Sequence, residues 1–277
     1  MRSVGRALDM IELVASAPPD GLSLSTLNQA LGMSKSSALA TARTLVAYGL
    51  LRSTLPGPRY KLGISLIRLG DLTARQQPLS EVCRPILREL ADRTGATARV
   101  ALVDEGYPLF VDRIDGPGTV RFYTPLGRRE SPHSTAAGKA ILATLTEAEV
   151  RSIARDAGLP AKGPHTITRI DRLLTDLETV RSLGYSCDDE EDAEGVFCVG
   201  APFFDHNGEC VGALSITNIK TELAAGRIDE LGALVRHHAD RVSEILNGRQ
   251  GTGALDLGAL VRSRSDSASL DTGARQP

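Results

Sequence analysis

The chain reads as an α+β protein in two parts: a small helix–turn–helix–hairpin unit, then a larger domain around an antiparallel sheet. Three observations predict this. Between Leu22 and Leu62, two short amphipathic stretches separated by Gly32 run into a hairpin pattern. Beyond Leu79, strand-like runs flank a block of helical periodicity. The charge is also split: through Ser65, seven Lys and Arg stand against three acids, a balance of +4, so the net −2 of the whole chain leaves −6 for the remainder. A basic head on an acidic body fits a nucleic-acid-binding module joined to a second domain.

In order, Val4, Ala7, Leu8, Ile11 and Val14 form a helical stripe that Pro18-Pro19-Asp20-Gly21 breaks. Leu24, Leu27 and Leu31 mark a helix stopped by Gly32. Ser34 stands where it can cap a second helix, whose apolar face is Ala38, Ala42, Leu45 and Val46 and which ends at Gly49. Leu50 and Leu51 start a strand, Pro56-Gly57-Pro58 turns, and Arg59–Leu62 returns. This is the layout of a winged module whose second helix enters the DNA major groove. A small α+β packing unit has the same periodicity, so geometry alone leaves both readings open. Leu62, Ile64, Leu66, Ile67, Leu69 and Leu72 give a further helix, apolar on more than one side. It is read as a linker that also dimerises, or else as one that packs on its own domain.

The second domain opens with a helix through Val82, Ile86, Leu87, Leu90 and Ala91 that Gly95 stops. Strands are expected at Ala98–Val103, Leu109–Val111 and Val120–Tyr123, then helices at Thr135–Leu145, Glu147–Ala157 and Ile170–Leu183. Two more strands, Val196–Phe204 and Cys210–Thr217, meet across Asn207-Gly208, a strong hairpin signal. A last helix covers Ile228–Leu246, and the Gly-, Ser-, Asp- and Arg-rich stretch after it is expected to be disordered. The boundaries so drawn are 1–63, 64–78, 79–248 and 249–277.

Composition narrows the classes. Hydrophobic residues make up 42% and aromatics 4%, with no Trp, so aliphatic packing fills the cores. The four cysteines form no CxxC pair and have no His at ligand spacing, which points to reduced thiols and implies neither metal nor cofactor. No apolar run approaches the roughly 18–20 residues of a membrane span, so a soluble, cytoplasmic protein is expected.

These motifs together resemble the IclR family of bacterial transcription regulators, from Ser3 to about Gly248. The matching residues are Arg6-Ala7-Leu8-Asp9, Lys35-Ser36, Tyr60-Lys61-Leu62-Gly63, His133-Ser134-Thr135-Ala136-Ala137-Gly138-Lys139-Ala140 and Pro164-His165-Thr166-Ile167-Thr168. Gly184-Tyr185 leading into Asp188-Asp189-Glu190-Glu191, Ala201-Pro202 with Phe204-Asp205, and Ala213-Leu214-Ser215-Ile216 complete the set. The resemblance implies a winged helix-turn-helix head, a linker helix and a GAF-like effector-binding domain. It also implies dimers, or tetramers built as dimers of dimers, on partly palindromic double-stranded operators.

For DNA, the exposed side of the second helix offers Lys35, Ser36, Ser37, Ala40 and Arg43, with Ser34 at its cap. Free N–H groups near Ser36 and Ser37 favour a phosphate, Lys35 neutralises one, and Arg43 reaches backbone or a guanine edge. On the wing, Arg59 and Lys61 are phosphate candidates and Arg52 joins them. For each, the alternative is a solvated surface charge. Relatives often carry bulky or basic residues where this chain has Ala40 and Thr41, so base reading rests on few side chains.

For the effector, the resemblance places a ligand carboxylate on the backbone of Ala136 and Ala137, and matches Asp188, Cys198, Ser215 and Thr217 to the other pocket positions. The tiny side chains of Thr135-Ala136-Ala137-Gly138 let backbone N–H groups approach a ligand, and Ser215 and Thr217 alternate onto one strand face. Phe122 and Leu126–Glu130 are read as a lid, with Glu130 standing where relatives carry an aliphatic residue. The effector expected is a small organic acid. Cys198 as a small core residue, and Asp188 as a solvated charge in a run of acids, are the alternatives. Two rival functions remain: a GAF-like thiol redox enzyme using Cys198, with His133 as base and the head as an appended module, and a DNA-bound scaffold with no ligand. Against the enzyme stand the absence of a basic cluster to lower the Cys198 pKa and of a phosphate-binding glycine loop.

Overall fold

The computed structural model describes residues 2–54, 57–75, 78–117, 125–222 and 226–248. The chain divides into two compact units, Met1–Gln77 and Pro78–Pro277. The expected strand Val120–Tyr123, Phe122 within it, and the tail from 249 lie outside the described residues.

The first unit runs α1 (Arg2–Ala15), β1 (Leu22–Ser23), α2 (Leu24–Ala30), α3 (Lys35–Ala47), β2 (Leu51–Thr54), β3 (Arg59–Leu62) and α4 (Ser65–Arg75). Its sheet has the order β1-β3-β2. Residues of period 3.6 in the sequence meet in one small core: Met10 and Val14 from α1, Leu27 from α2, Ala38, Ala42 and Leu45 from α3, and Leu51 and Tyr60 from the wing. β1 escapes a sequence reading because two residues carry no period; it forms because Leu22 pairs with Tyr60. Gly21, at φ +82°, makes that pairing possible, since a Cβ there would lie 2.5 Å from the Tyr60 carbonyl oxygen. Val4 and Leu8 of α1 stay exposed, as do Ile64, Ile67, Leu69 and Leu72 in and beside α4.

The second unit runs α5 (Pro78–Thr94), β4 (Thr97–Asp104), β5 (Tyr107–Ile114), α6 (Ala136–Leu142), α7 (Glu147–Ala157), α8 (Ile170–Leu183), β6 (Ser186–Asp189), β7 (Val196–Phe204), β8 (Cys210–Ile219) and α9 (Ile228–Gly248). The sheet is antiparallel with order β5-β4-β8-β7-β6. One face, with Ala98, Val100, Val199, Leu214 and Ile216, packs against α5 and α9. On the other, Ala101 and Ala213 pack against Ala137, Ala140 and Ile141 of α6, and α6 joins α7 and α8 in a further cluster around Leu142, Val150, Leu173 and Leu177. The expected Thr135–Leu145 helix is shorter, with Thr135 as its N-cap and Ala143 as its C-cap. β6 is the strand that hydrophobic pattern misses: its inward residues are Ser186 and Asp188, both buried and polar. Among the described residues no helix is long and apolar enough to cross a membrane.

Candidate functional site

In the first unit, Ser34 caps α3 as its position suggests: its Oγ accepts the Ser37 N–H at 3.2 Å and lies 3.1 Å from Ser36 Oγ and 2.9 Å from Ser37 Oγ. Burial of Ala38, Ala42 and Leu45 turns Lys35, Ser36, Ser37, Ala40 and Arg43 to the exposed side. On the wing, Arg52 of β2 is directly opposite Lys61 of β3, and residues opposite one another in an antiparallel pair share a face. Arg59 behaves differently. Its guanidinium donates to the carbonyls of Asp20 (3.1 Å) and Gly21 (2.9 Å) and pairs with Asp20 Oδ2 at 2.7 Å. That arginine clamps the wing to the loop after α1, so a phosphate would have to share it.

In the second unit, antiparallel register lines up a row of side chains across three strands. Asp188 on β6 faces Cys198 on β7, and Cys198 faces Thr217 on β8. One step along, Gly200, Ser215 and Arg99 form the next row, Arg99 coming from β4. Arg99, Asp188, Cys198 and Thr217, with Phe110, Glu130 and Thr135, line a cavity of about 240 Å³. Arg99 is buried, with its guanidinium 4.6 Å from the centre of the Phe110 ring. It also donates to Thr217 Oγ1 and approaches Cys198 Sγ at 3.8 Å. Sequence reasoning passed over Arg99. The available signal was a charge inside an otherwise apolar strand run, Ala98–Val103.

The alternative of Asp188 as a solvated charge does not hold, and the acids beside it are each engaged. Asp188 Oδ1 accepts the N–H groups of Glu191 (2.8 Å) and Asp192 (3.1 Å), folding the loop back on itself. Lys220 Nζ pairs with Asp189 at 2.7 Å and Glu190 at 2.5 Å. Glu191 pairs with the buried Lys139 of α6, and Asp192 accepts from Ser134 and Lys162, both at 2.6 Å. Burial pushes the Asp188 carboxyl up to about 6 and raises Glu130 as well. Asp189 and Glu190, with His165, could geometrically hold a cation, but the Lys220 ammonium already occupies those carboxylates.

Ala136, Ala137 and Ser215 are buried beside the cavity and do not line it. The small residues of α6 answer first to packing: a Cβ on Gly200 would lie 2.8 Å from the Ala136 carbonyl carbon, and Ser186 Oγ donates to the Ala136 carbonyl at 2.6 Å. Ser215 Oγ, fully buried, takes no hydrogen bond among the described residues. Burial pushes the Cys198 thiol up to about 12, so it is not a thiolate nucleophile. His133 binds the Pro160 carbonyl at 3.1 Å and lines a different cavity.

A winged helix-turn-helix head, and a sheet domain with a half-open cavity lined in part by buried Arg99 and Asp188, are the parts of a DNA-binding transcription regulator. Residues 3–54 match the IclR helix-turn-helix domain, and residues 72–244 match the bacterial transcriptional regulator IclR C-terminal domain. The chain is 30% identical over 243 residues to the HTH-type transcriptional regulator BhcR of Paracoccus denitrificans, covering 88% of this chain and 86% of that one. It is 29% identical over 250 residues to the transcriptional repressor IclR of Escherichia coli, covering 90% and 91%. The crystal structure of Thermotoga maritima IclR superposes with a TM-score of 0.74 at 29% identity, covering 89% of this chain and 99% of that one. The chain belongs to the IclR family. These relatives are transcriptional regulators, not enzymes, which removes the thiol-enzyme reading of Cys198.

Proposed function

We propose that this protein is an effector-responsive regulator whose second domain takes a small carboxylate-bearing metabolite and passes its presence to the DNA-binding head. The observation that carries the reading is the buried Arg99 on the cavity floor beside Thr217 and Cys198. A guanidinium in a desolvated site of this size is suited to a small carboxylate. Thr217, which lines the cavity on the same strand face, brings a second polar side chain to that floor. Asp188 anchors the loop that closes one wall, and Glu130 the segment that closes another.

On DNA, Lys35, Arg52 and Lys61 supply phosphate contacts, and Ser36, Ser37, Ala40 and Arg43 face the groove. The exposed apolar residues of α1 and α4 support self-association as a dimer, or as a dimer of dimers, which a two-fold operator requires. Boundaries at 63/64, 78/79 and 248/249 follow from this division of labour. Effector binding selects one of two arrangements of the dimer, and α4 carries the change to half-site spacing.

The test is fluorescence anisotropy of the full chain on DNA upstream of its own gene, against scrambled DNA, across a salt series, then with added small acids. Binding that favours the upstream DNA, falls linearly in log salt and is shifted saturably by an acid supports the reading. Equal weak binding to both DNAs, unmoved by any acid, overturns it.

A further inference from the structure

We infer that the second domain carries another ligand site, around His133, for a small hydroxylated anion: its anionic group held by Arg128 and Lys162, and a hydroxyl donating to His133 Nδ1. This goes beyond the effector cavity proposed above, which His133, Arg128 and Lys162 do not line.

The observation that carries it is a buried ring nitrogen. His133 is 1% exposed and forms part of the wall of a cavity of about 320 Å³. Its Nε2 lies 3.1 Å from the Pro160 carbonyl, which can only accept, so Nε2 carries the ring hydrogen and donates. Burial is the largest influence on the ring and pushes it below its ordinary range, which keeps it neutral. In that tautomer Nδ1 has a lone pair and no hydrogen, and it takes no hydrogen bond among the described residues. A buried acceptor left open on the wall of a polar cavity calls for a donor.

The other walls choose what accompanies that donor. Arg128, exposed at the rim, has no carboxylate at salt-bridge distance among the described residues. Lys162 Nζ is 2.6 Å from Asp192 Oδ1, which takes one of its three N–H groups and leaves two. Arg129 is more fully spent, with Nε on Asp104 and Nη2 on Glu105. Glu130 faces the same cavity and lies in the field of both Lys162 and Arg128. The site therefore offers cationic N–H groups to an anion, and two acceptors, Nδ1 and the Glu130 carboxylate, to hydroxyls. A single anionic group with a hydroxyl on a neighbouring carbon meets both sets. An acid without the hydroxyl leaves Nδ1 open, and sites built to bond a hydroxyl reject the analogue that lacks it. The wall is held in place: the N–H of Gly127 donates to the Phe110 carbonyl at 2.7 Å, and that of Glu130 to the Pro108 carbonyl at 2.9 Å, tying the segment to β5. The volume holds roughly ten waters' worth of ligand, so the molecule is small. Glu130 also lines the effector cavity, so the two sites share a wall.

The experiment is calorimetric titration of the full chain with glycerol 3-phosphate against propyl phosphate, and with D-glycerate against propionate, inorganic phosphate alone being a further arm. The expected result is that the hydroxylated member of at least one pair binds about tenfold or more tightly than its partner. Which pair does so tells a phosphate ligand from a carboxylate. His133→Gln keeps a donor for the Pro160 carbonyl and removes Nδ1, so it should bring that pair within about threefold. Arg128→Ala, at an exposed side chain, should weaken the hydroxylated ligand about tenfold, and it carries the test if His133→Gln does not fold. The assignment is overturned if the unhydroxylated partners or inorganic phosphate bind as tightly, if neither variant moves the affinity, or if no probe binds. The response of operator binding to small acids tests the effector cavity separately, so either reading can fall while the other stands.

Discussion

Lys139 Nζ lies 2.5 Å from Glu191 Oε1 and 3.0 Å from Asp176 Oδ2, and its side chain is 1% exposed. This joins α6 and α8 to the loop that Asp188 folds. The two carboxylates hold the Lys139 ammonium above its ordinary range despite burial. Lys139→Met would strip Glu191 of its counter-charge in a desolvated site, at a cost of about 3–5 kcal/mol. Urea unfolding should show a midpoint far below the parent's, and Lys139→Met with Glu191→Leu should recover much of the loss. A single variant as stable as the parent would mean that water already screens the pair.

Asp188 sets a pH dependence. Its folded-state value of about 6 lies above its ordinary 3.8. The native state therefore holds a proton that the unfolded chain has released between those values. Raising the pH through this window must remove that proton from the folded protein, so stability falls with rising pH, by up to about 3 kcal/mol. Asp188→Asn cannot ionise, yet its side-chain oxygen can still accept from Glu191 and Asp192. Thermal melts from pH 4 to 7 should show the variant gaining on the parent as pH rises.

The wing separates two arginines by what they touch. Lys61→Ala, or Arg52→Ala opposite it, should reduce the slope of log affinity against log salt by about 0.9, one phosphate contact. Arg59→Ala should change the slope less and instead loosen the wing, because its guanidinium is occupied by Asp20 and two carbonyls. Equal slopes for all three variants would put Arg59 on phosphate too.

Gly200→Ala tests how closely α6 rides on the sheet. Its Cβ would meet the Ala136 carbonyl at 2.8 Å and the Ala137 nitrogen at 3.0 Å, both backbone atoms that cannot swing away. The expected loss is about 1–3 kcal/mol from overpacking. Effector response should weaken with it, while operator binding without effector persists. Chemical denaturation and anisotropy on the same sample read both.

Ser34→Ala removes the α3 cap and should cost about 1 kcal/mol. The same change frees the first turn beside Ser36 and Ser37, so operator affinity should fall by more than stability alone accounts for.

The head was legible because its helices are amphipathic and its stops are glycines: Ala38, Ala42 and Leu45 mark the inner face of α3 without ambiguity. What periodicity could not say is which exposed charge is already taken. Arg59 and Arg52 look alike in sequence; only the Asp20 loop tells them apart. The sheet domain was legible where burial is apolar and opaque where it is polar, so β6, with Ser186 and Asp188 inward, went unseen. Arg99 was hidden for the same reason: a buried cation needs partners from other strands, and strand order is not written in local pattern. The pocket places expected for Asp188, Cys198, Ser215 and Thr217 rest on resemblance, whereas the two adjacent rows rest on strand register.

Arg99 and the Thr217 hydroxyl that it holds are 118 residues apart in the chain. β4 is made early and β8 late, and their pairing joins β5 to the rest of the sheet. A contact of such long range forms slowly, because a large loop must close before anything rewards it. The cavity floor therefore does not exist in a nascent or half-folded chain. On the proposed reading, a molecule that has yet to complete its sheet has no site for a signal, and only finished copies can answer one. A ligand that fits the floor also favours the finished copies over those still open to proteolysis, so the signal would raise the standing level of its own receptor.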